Sequence, residues 1–577
     1  MSETTAADND RQEASLTLRA LADRRVAAML LLGMAAGLPF FLIFDTLSAW
    51  LRQSGVSLQT ITVFALATLS YALKFVWAPV VDRVSLPVIG TRLGQRRSWM
   101  ILTQLIIITG LFLIAGSQPE LDLTRVALLA VLVGFAGATQ DVAIDAWRIE
   151  IVEESRYGVM AAAYQWGYRG AMIAAGAIPL FLADAYNWNV SYAVMALIMT
   201  IGIGASLLAP REVAPLRRLT VGGDLPARPL WETGEWAVRL LILLAAALLA
   251  GSGLAANATL LASVLQALGL GADQAAAVEA AWEARPQGIF IQFPAVLAGL
   301  GLIAVACIPV PGIQTRPGAY LRRAYGEPLG NFFERFGVKL GALILALICL
   351  YRLSDFVLNL MNPFYIDLGF TLTEIAEVRK IYGVVASLAG IAVAGWCVAR
   401  LGILKTMLIG VFASPLSNLV FIWLATLGPQ LYGLYVAITI DNFAMGIAGT
   451  ALIVYMSSLT RAGFTATQYA LFSSLYAIFG KIIASQSGRI VEGSARIAEE
   501  GGITASLRGL FAGLPESSLA AGAQTAGVSP SALGAGYVTF FLYSALLGVA
   551  AIVIAFVVAR RQRALGQAPE AEQAGNT

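Results

Sequence analysis

The chain has 577 residues, of which 58% are hydrophobic and 13% charged, against roughly 25% charged in ordinary soluble domains. Its formal net charge of +3 is too small to argue for nucleic acid, and it has no histidine and only three cysteines, Cys307, Cys349 and Cys397, all in apolar runs. This excludes a disulfide framework or an obvious metal site, argues against an enzyme, and leaves an all-α polytopic membrane protein whose proton carrier, if it has one, is a carboxylate.

The first 25 residues are polar and charged and lack the order of a cleaved signal peptide. Apolar runs of adequate length then predict about fourteen membrane spans. They fall near 26–50, 59–82, 98–117, 124–147, 158–183, 189–209, 236–256, 288–311, 338–362, 373–399, 403–427, 431–458, 466–490 and 535–559. Arginines gather after the second span (Arg83, Arg92, Arg96, Arg97), the sixth (Arg211, Arg217, Arg218, Arg228), the eighth (Arg316, Arg322, Arg323, Arg335) and the last (Arg560, Arg561, Arg563). If the spans alternate, these connections share one side. The excess of arginine there places both termini in the cytoplasm.

Two echoes suggest parallel six-helix repeats. Gly55-Val-Ser-Leu-Gln-Thr-Ile61 enters the second span and Gly369-Phe-Thr-Leu-Thr-Glu-Ile375 the tenth, while Arg169-Gly170 and Gly480-Lys481 each put a cation near mid-helix. The expected organisation is a cytoplasmic segment over 1–25, a six-helix bundle over 26–210, and connections with two inserted packing helices over 211–337. A second bundle over 338–560 and a cytoplasmic tail over 561–577 complete it. The segment 491–534, rich in Gly, Ala and Ser, is the long connection on the opposite side, with a short surface helix around Ser506–Ala512.

Ionisable groups inside the spans are expensive, so each marks a site or an ion pair. Asp141 and Asp145 lie one turn apart on a helix face, with Arg148 three residues beyond. Asp45, Asp141, Asp145, Asp355 and Asp441 are carboxylates within spans that could carry a proton, and Asp141, Asp441 and Asp355 are the proton-coupling candidates among them. Asp145 and Arg148, nearer the helix end, suit a gate. Lys74, Arg169, Arg352 and Lys481 (with Lys380) are cations for an anionic solute; Trp77, Trp166, Tyr168 and Tyr351 (with Tyr382) offer rings, and Gln140 an amide. For each cation the alternative is an interhelical ion pair, for each ring ordinary packing, and for Arg352 a local pair with Asp355. Gly33, Gly37 and Pro39 let the first helix bend or approach a neighbour closely, and Gly37 joins the gating set.

Six parallel-repeat helices, twice over, match the major facilitator architecture. Ala78-Pro-Val-Val-Asp82-Arg83 followed by Gly90-Thr-Arg92-Leu-Gly-Gln-Arg96-Arg97 resembles that superfamily's signature, in which Asp82 and Arg83 would latch the halves; a positive-inside loop is the alternative. More specific segments are Leu32-Gly-Met-Ala-Ala-Gly-Leu-Pro39, Leu47-Ser-Ala-Trp50, Phe75-Val-Trp-Ala-Pro79, Ala138-Thr-Gln-Asp141, Asp145-Ala-Trp-Arg148 and Gly167-Tyr-Arg-Gly170. Tyr351-Arg-Leu-Ser-Asp355 and Ala466-Thr-Gln-Tyr-Ala-Leu471 belong with them. Together they resemble the AmpG-type muropeptide permeases from about residue 27 to 560.

That resemblance implies proton-driven import of anhydromuropeptides through the bacterial inner membrane, with an indirect link to β-lactamase induction. No nucleotide-binding motif is present, so the expectation is a secondary transporter with no cofactor but the proton gradient. Its partners would be a muropeptide-like solute and membrane lipids, and it would function as a monomer. Import of another bulky anionic conjugate, and a transport-inactive membrane sensor, stay open.

Overall fold

The computed structural model describes residues 22–54, 69–87, 89–212, 225, 228–255, 257–284, 287–308, 310, 315–461, 463–484, 487–515 and 517–564. All regular structure among them is helical. The first half contains α1 (Arg24–Phe41), α2 (Leu47–Gln53), α3 (Leu69–Leu73), α4 (Ala78–Arg83), α5 (Gln95–Ala115), α6 (Leu123–Glu150), α7 (Tyr157–Ala185), α8 (Trp188–Ile198) and α9 (Thr200–Leu208). Two further helices follow, α10 (Pro229–Ala255) and α11 (Ile289–Cys307). The second half contains α12 (Glu327–Leu350), α13 (Gly383–Leu401), α14 (Ile403–Asn418), α15 (Leu431–Ser458), α16 (Thr465–Ala484), α17 (Ser487–Glu499) and α18 (Pro530–Ala564).

Eleven described helical stretches are long and apolar enough to cross a membrane. They correspond to all the expected spans except the second, fifth and thirteenth. The first stretch of the second span lies outside the described residues, whereas α7 and α16 stand at the fifth and thirteenth positions. The long connection holds α17 and a short 3-10 helix at Ala505–Phe511, where a surface helix was expected.

Five helix pairings recur in the two halves. In the first, α1 packs on α7 and α9, α5 on α6 and α8, and α3 on α6. In the second, α12 packs on α16 and α18, α14 on α15 and α18, and α13 on α15. A sequence repeat accompanies this: Arg92-Leu93-Gly94 opens α5 and Arg400-Leu401-Gly402 opens α14. Gly94 (φ 96°) and Gly402 (φ 85°) take a backbone conformation that a side chain disfavours. The echo at Gly55–Ile61 lies outside the described residues; its counterpart Gly369 ends a helix with φ 110°.

At Pro39 and Pro179, which interrupt helices, side chains from neighbouring segments take up the freed carbonyls, as membrane burial demands. Pro39 in α1 cannot donate to Ala35 O, which instead accepts from Gln140 Nε2 at 2.8 Å. Pro179 in α7 likewise frees Ala175 O, which accepts from the Thr46 hydroxyl at 2.8 Å. Pro79 follows a 3-10 turn at Lys74–Val76 that separates α3 from α4.

The halves meet where α7 lies against α13 and α15, and where α6, α3 and α4 lie against α16. Glycines set the closest approaches: a Cβ on Gly167 would sit 1.9 Å from Leu30 O, and one on Gly390 2.2 Å from Phe443 O. The helices α10 and α11 pack on each other. Their residues Ala246, Val296 and Ile303 cluster with Ala72 and Leu73 of α3.

Candidate functional site

The α6 helix carries Asp141, Asp145 and Arg148 on one face, and the turn at Lys74 aims one cation at both carboxylates. Lys74 Nζ lies 3.5 Å from Asp141 Oδ2 and 3.4 Å from Asp145 Oδ2. Asp145 Oδ1 is 3.5 Å from Arg148, so two cations face two anions in a nearly closed interior. Arg148, 1% exposed, crosses to the other half. It donates to Ser457 Oγ at 3.1 Å and lies over the Tyr469 ring at 5.1 Å. Among the described residues, Asp141 Oδ1 and the Tyr71 hydroxyl are buried without a hydrogen-bond partner, and the Tyr71 hydroxyl occupies the space a Cβ on Gly137 would need.

The sequence divides this helix into Asp141 at cavity depth and Asp145 at a gate. Lys74 joins the two instead, because the break in the second span brings its ammonium between them. Removing one carboxylate leaves Lys74 a partner; removing Lys74 leaves two buried anions one turn apart.

Nearer the helix ends, Asp82 stands at the first turn of α16. Its Oδ2 accepts from the Thr467 N–H at 2.7 Å and the Thr467 hydroxyl at 2.6 Å, and its Oδ1 accepts from the Ala466 N–H at 3.2 Å. A helix N-terminus offers unpaired N–H groups and a positive dipole end, so a carboxylate from the opposite half serves as its cap. Arg96 holds Asp82 at 2.7 Å and Glu150 at 2.7 Å. The halves are therefore joined at the face where α1 begins and α18 ends, the termini face. The side chain of Arg83, the other expected latch residue, lies outside the described residues.

The second half has its own charged interior. Arg352 Nε is 2.6 Å from Asp355 Oδ2, whose other oxygen accepts from the Ser414 hydroxyl. Asp441 accepts from Ser417 Oγ at 3.5 Å. Arg169 of α7 has no ion pair among the described residues and lies within electrostatic range of Arg352 and Asp441. Between the halves, Gln165 Nε2 donates to Thr450 Oγ1 at 3.5 Å and Trp166 Nε1 to Leu388 O at 3.2 Å.

Several expected site residues have partners of their own. Gln140, fully buried, is committed to the carbonyl that Pro39 frees. Tyr351 is 1% exposed and donates to Met407 O at 2.8 Å, which fastens it within the second half. Trp77 donates to Thr139 Oγ1 at 3.0 Å and leans on Phe135, ring centroids 4.6 Å apart. Tyr168 packs on Phe41 at 5.4 Å, and Gly37 lets α1 approach Ala171 and Tyr168. Tyr382 bonds Thr439. The side chains of Lys481, Lys380 and Asp45 lie outside the described residues. Sequence reasoning missed Tyr71, Tyr469, Ser457 and Glu150. Thr467 had a usable signal, since it opens a helix that must find a cap.

The chain is similar to several known membrane transporters. A family model described as acetyl-coenzyme A transporter 1 matches residues 26–189. The AmpG 4 protein of Rickettsia conorii is 29% identical over 455 residues, 78% of this chain and 86% of that protein. The anhydromuropeptide permease of Escherichia coli K12 is 27% identical over 461 residues, 79% of this chain and 72% of that protein. A solved structure of the proton:xylose symporter XylE shares the fold with a TM-score of 0.51 at 11% identity, covering 92% of this chain and 95% of that one. The chain is thus similar to AmpG-type permeases over most of its length and shares the fold of a major facilitator symporter. Its eleven described apolar helical stretches make it a multi-pass membrane protein.

Proposed function

We propose that the protein imports anhydromuropeptides across the bacterial inner membrane, from periplasm to cytoplasm, by proton-coupled alternating access. The face that carries the termini is then cytoplasmic, and residues 26–210 and 338–560 are the rocking bundles. The observation that carries the coupling is Lys74 shared between Asp141 and Asp145, with Arg148 of the same network held by the opposite half. Opening the halves breaks the Arg148 contacts, redistributes the two cations over the two carboxylates, and lets Asp141 exchange a proton. Asp355 and Asp441 are the corresponding carboxylates of the second half. Arg169 receives the solute's carboxylates, while Arg352 neutralises Asp355. One proton falling through 100 mV yields about 2.3 kcal/mol, enough for roughly a fifty-fold gradient, so no cofactor is required.

The substrate assignment rests on similarity to the anhydromuropeptide permease. A second reading, import of another bulky anionic conjugate, is favoured by the match to the acetyl-coenzyme A transporter model. Proteoliposomes given radiolabelled anhydromuropeptide or acetyl-coenzyme A, with and without an imposed proton gradient, separate the two. Gradient-stimulated accumulation of the muropeptide alone is expected. No uptake of either solute by folded protein rejects the importer.

A further inference from the structure

We infer that Tyr325 and the inserted helix pair position Lys74, and that α10 and α11 act as the brace of the broken second span rather than as passive packing. The clause about transport rests on the function proposed above; the structural part does not. Pro79 lacks an N–H and sits just beyond the break. There the helix ladder shifts: Trp77 N donates to Lys74 O at 3.3 Å and Val80 N to Trp77 O at 2.9 Å. Val76 O, which Val80 N would serve in an α-helix, is left over. The Tyr325 hydroxyl donates to it.

As at Pro39 and Pro179, a side chain satisfies a carbonyl left over at a helix break, although here the shifted ladder and not the proline itself leaves it over. This break also differs in where the donor comes from. Tyr325 lies in the π turn Arg322–Gly326 that follows the inserted helices, and the Cys307 thiol at the end of α11 shares a hydrogen bond with its hydroxyl. On the other side of the break, Ala72 and Leu73 are buried against Ala246, Val296 and Ile303. Both flanks of the turn that carries Lys74 are thus held by residues 229–326. Non-helical backbone at membrane depth persists only when protein satisfies it, and here that protein is the insertion. The Lys74 ammonium lies 3.4–3.5 Å from two carboxylates, so a loosened turn spoils both contacts together.

The test is Tyr325→Phe in the full chain, reconstituted in nanodiscs and followed by amide hydrogen exchange. Exchange over 69–83 should rise at least ten-fold, with α1 and α15 unchanged. Muropeptide uptake in proteoliposomes should lose at least five-fold in maximal rate with KM within two-fold, because the solute's own contacts are elsewhere. Should Tyr325→Phe fail to fold, Val296→Ala loosens the same segment from the packing side and should raise exchange over 69–83 alone. Unchanged exchange in 69–83 in the folded variant overturns the inference. If the wild type takes up no muropeptide, the substrate reading falls while the exchange result still decides this one.

Discussion

Asp82 caps the helix that begins at Thr465 in the opposite half, with its Oδ2 accepting from both the N–H and the hydroxyl of Thr467. Hydrogen bonds to a charged group contribute about 1.5–3 kcal/mol each. Asp82→Asn should therefore shift the resting population toward a form open on the termini face by about 2–3 kcal/mol. Spin labels at Ile89 and Lys405, both exposed on that face, should report a longer distance in the variant, in a background free of the three natural cysteines. An unchanged distance distribution rejects the latch.

Asp141→Asn keeps the Lys74–Asp145 pair, so the variant should fold and insert normally. Gradient-driven accumulation should be abolished while solute exchange between the two sides at equal pH survives. Lys74→Ala is the opposite case, since it leaves two buried carboxylates without their shared cation. It should cost about 3–5 kcal/mol of stability, seen as a lower midpoint in thermal denaturation. Accumulation by Asp141→Asn at the wild-type level places coupling on another carboxylate.

Arg169 and Arg352 should behave differently although both are interior cations. Arg169 has no ion pair among the described residues, so Arg169→Gln should raise KM for an anionic solute about ten-fold, a loss of roughly 1.4 kcal/mol, with folding intact. Arg352 neutralises Asp355 at 2.6 Å. Arg352→Gln should lower the thermal midpoint before uptake can be read, and Arg352→Gln with Asp355→Asn should restore it. Equal destabilisation by both single variants would contradict this division.

Two glycines of one motif offer a contrast on stability. A Cβ on Gly167 would lie 1.9 Å from Leu30 O, a backbone atom, whereas Gly170 has open space around it. Gly167→Ala should destabilise by about 1–3 kcal/mol through forced separation of α1 and α7. Gly170→Ala should stabilise by about 0.5–1 kcal/mol, as a helix-interior glycine replaced without contact. Thermal denaturation of both variants in one detergent measures the difference in sign.

Much of this molecule was legible in its residues. Lipid admits only helices and closed barrels, so long apolar runs declare their own structure, and the buried charges Asp141, Asp145, Arg148, Arg352 and Asp355 stand out because each is costly there. Gln140 and Tyr351 looked like solute contacts because polar groups in spans invite that reading. Gln140 in fact answers a carbonyl freed by Pro39, 101 positions earlier in the chain, and Tyr351 answers Met407 O. The sequence by itself determined that this is a helical membrane protein with interior charges and proline breaks, since hydropathy and helix chemistry are local. Only the tertiary structure decided that Lys74 serves two aspartates, that Asp82 caps a helix 383 residues away, and that the inserted pair holds the second span. Those pairings join groups remote in sequence, and which partner each buried polar group finds depends on how the helices pack.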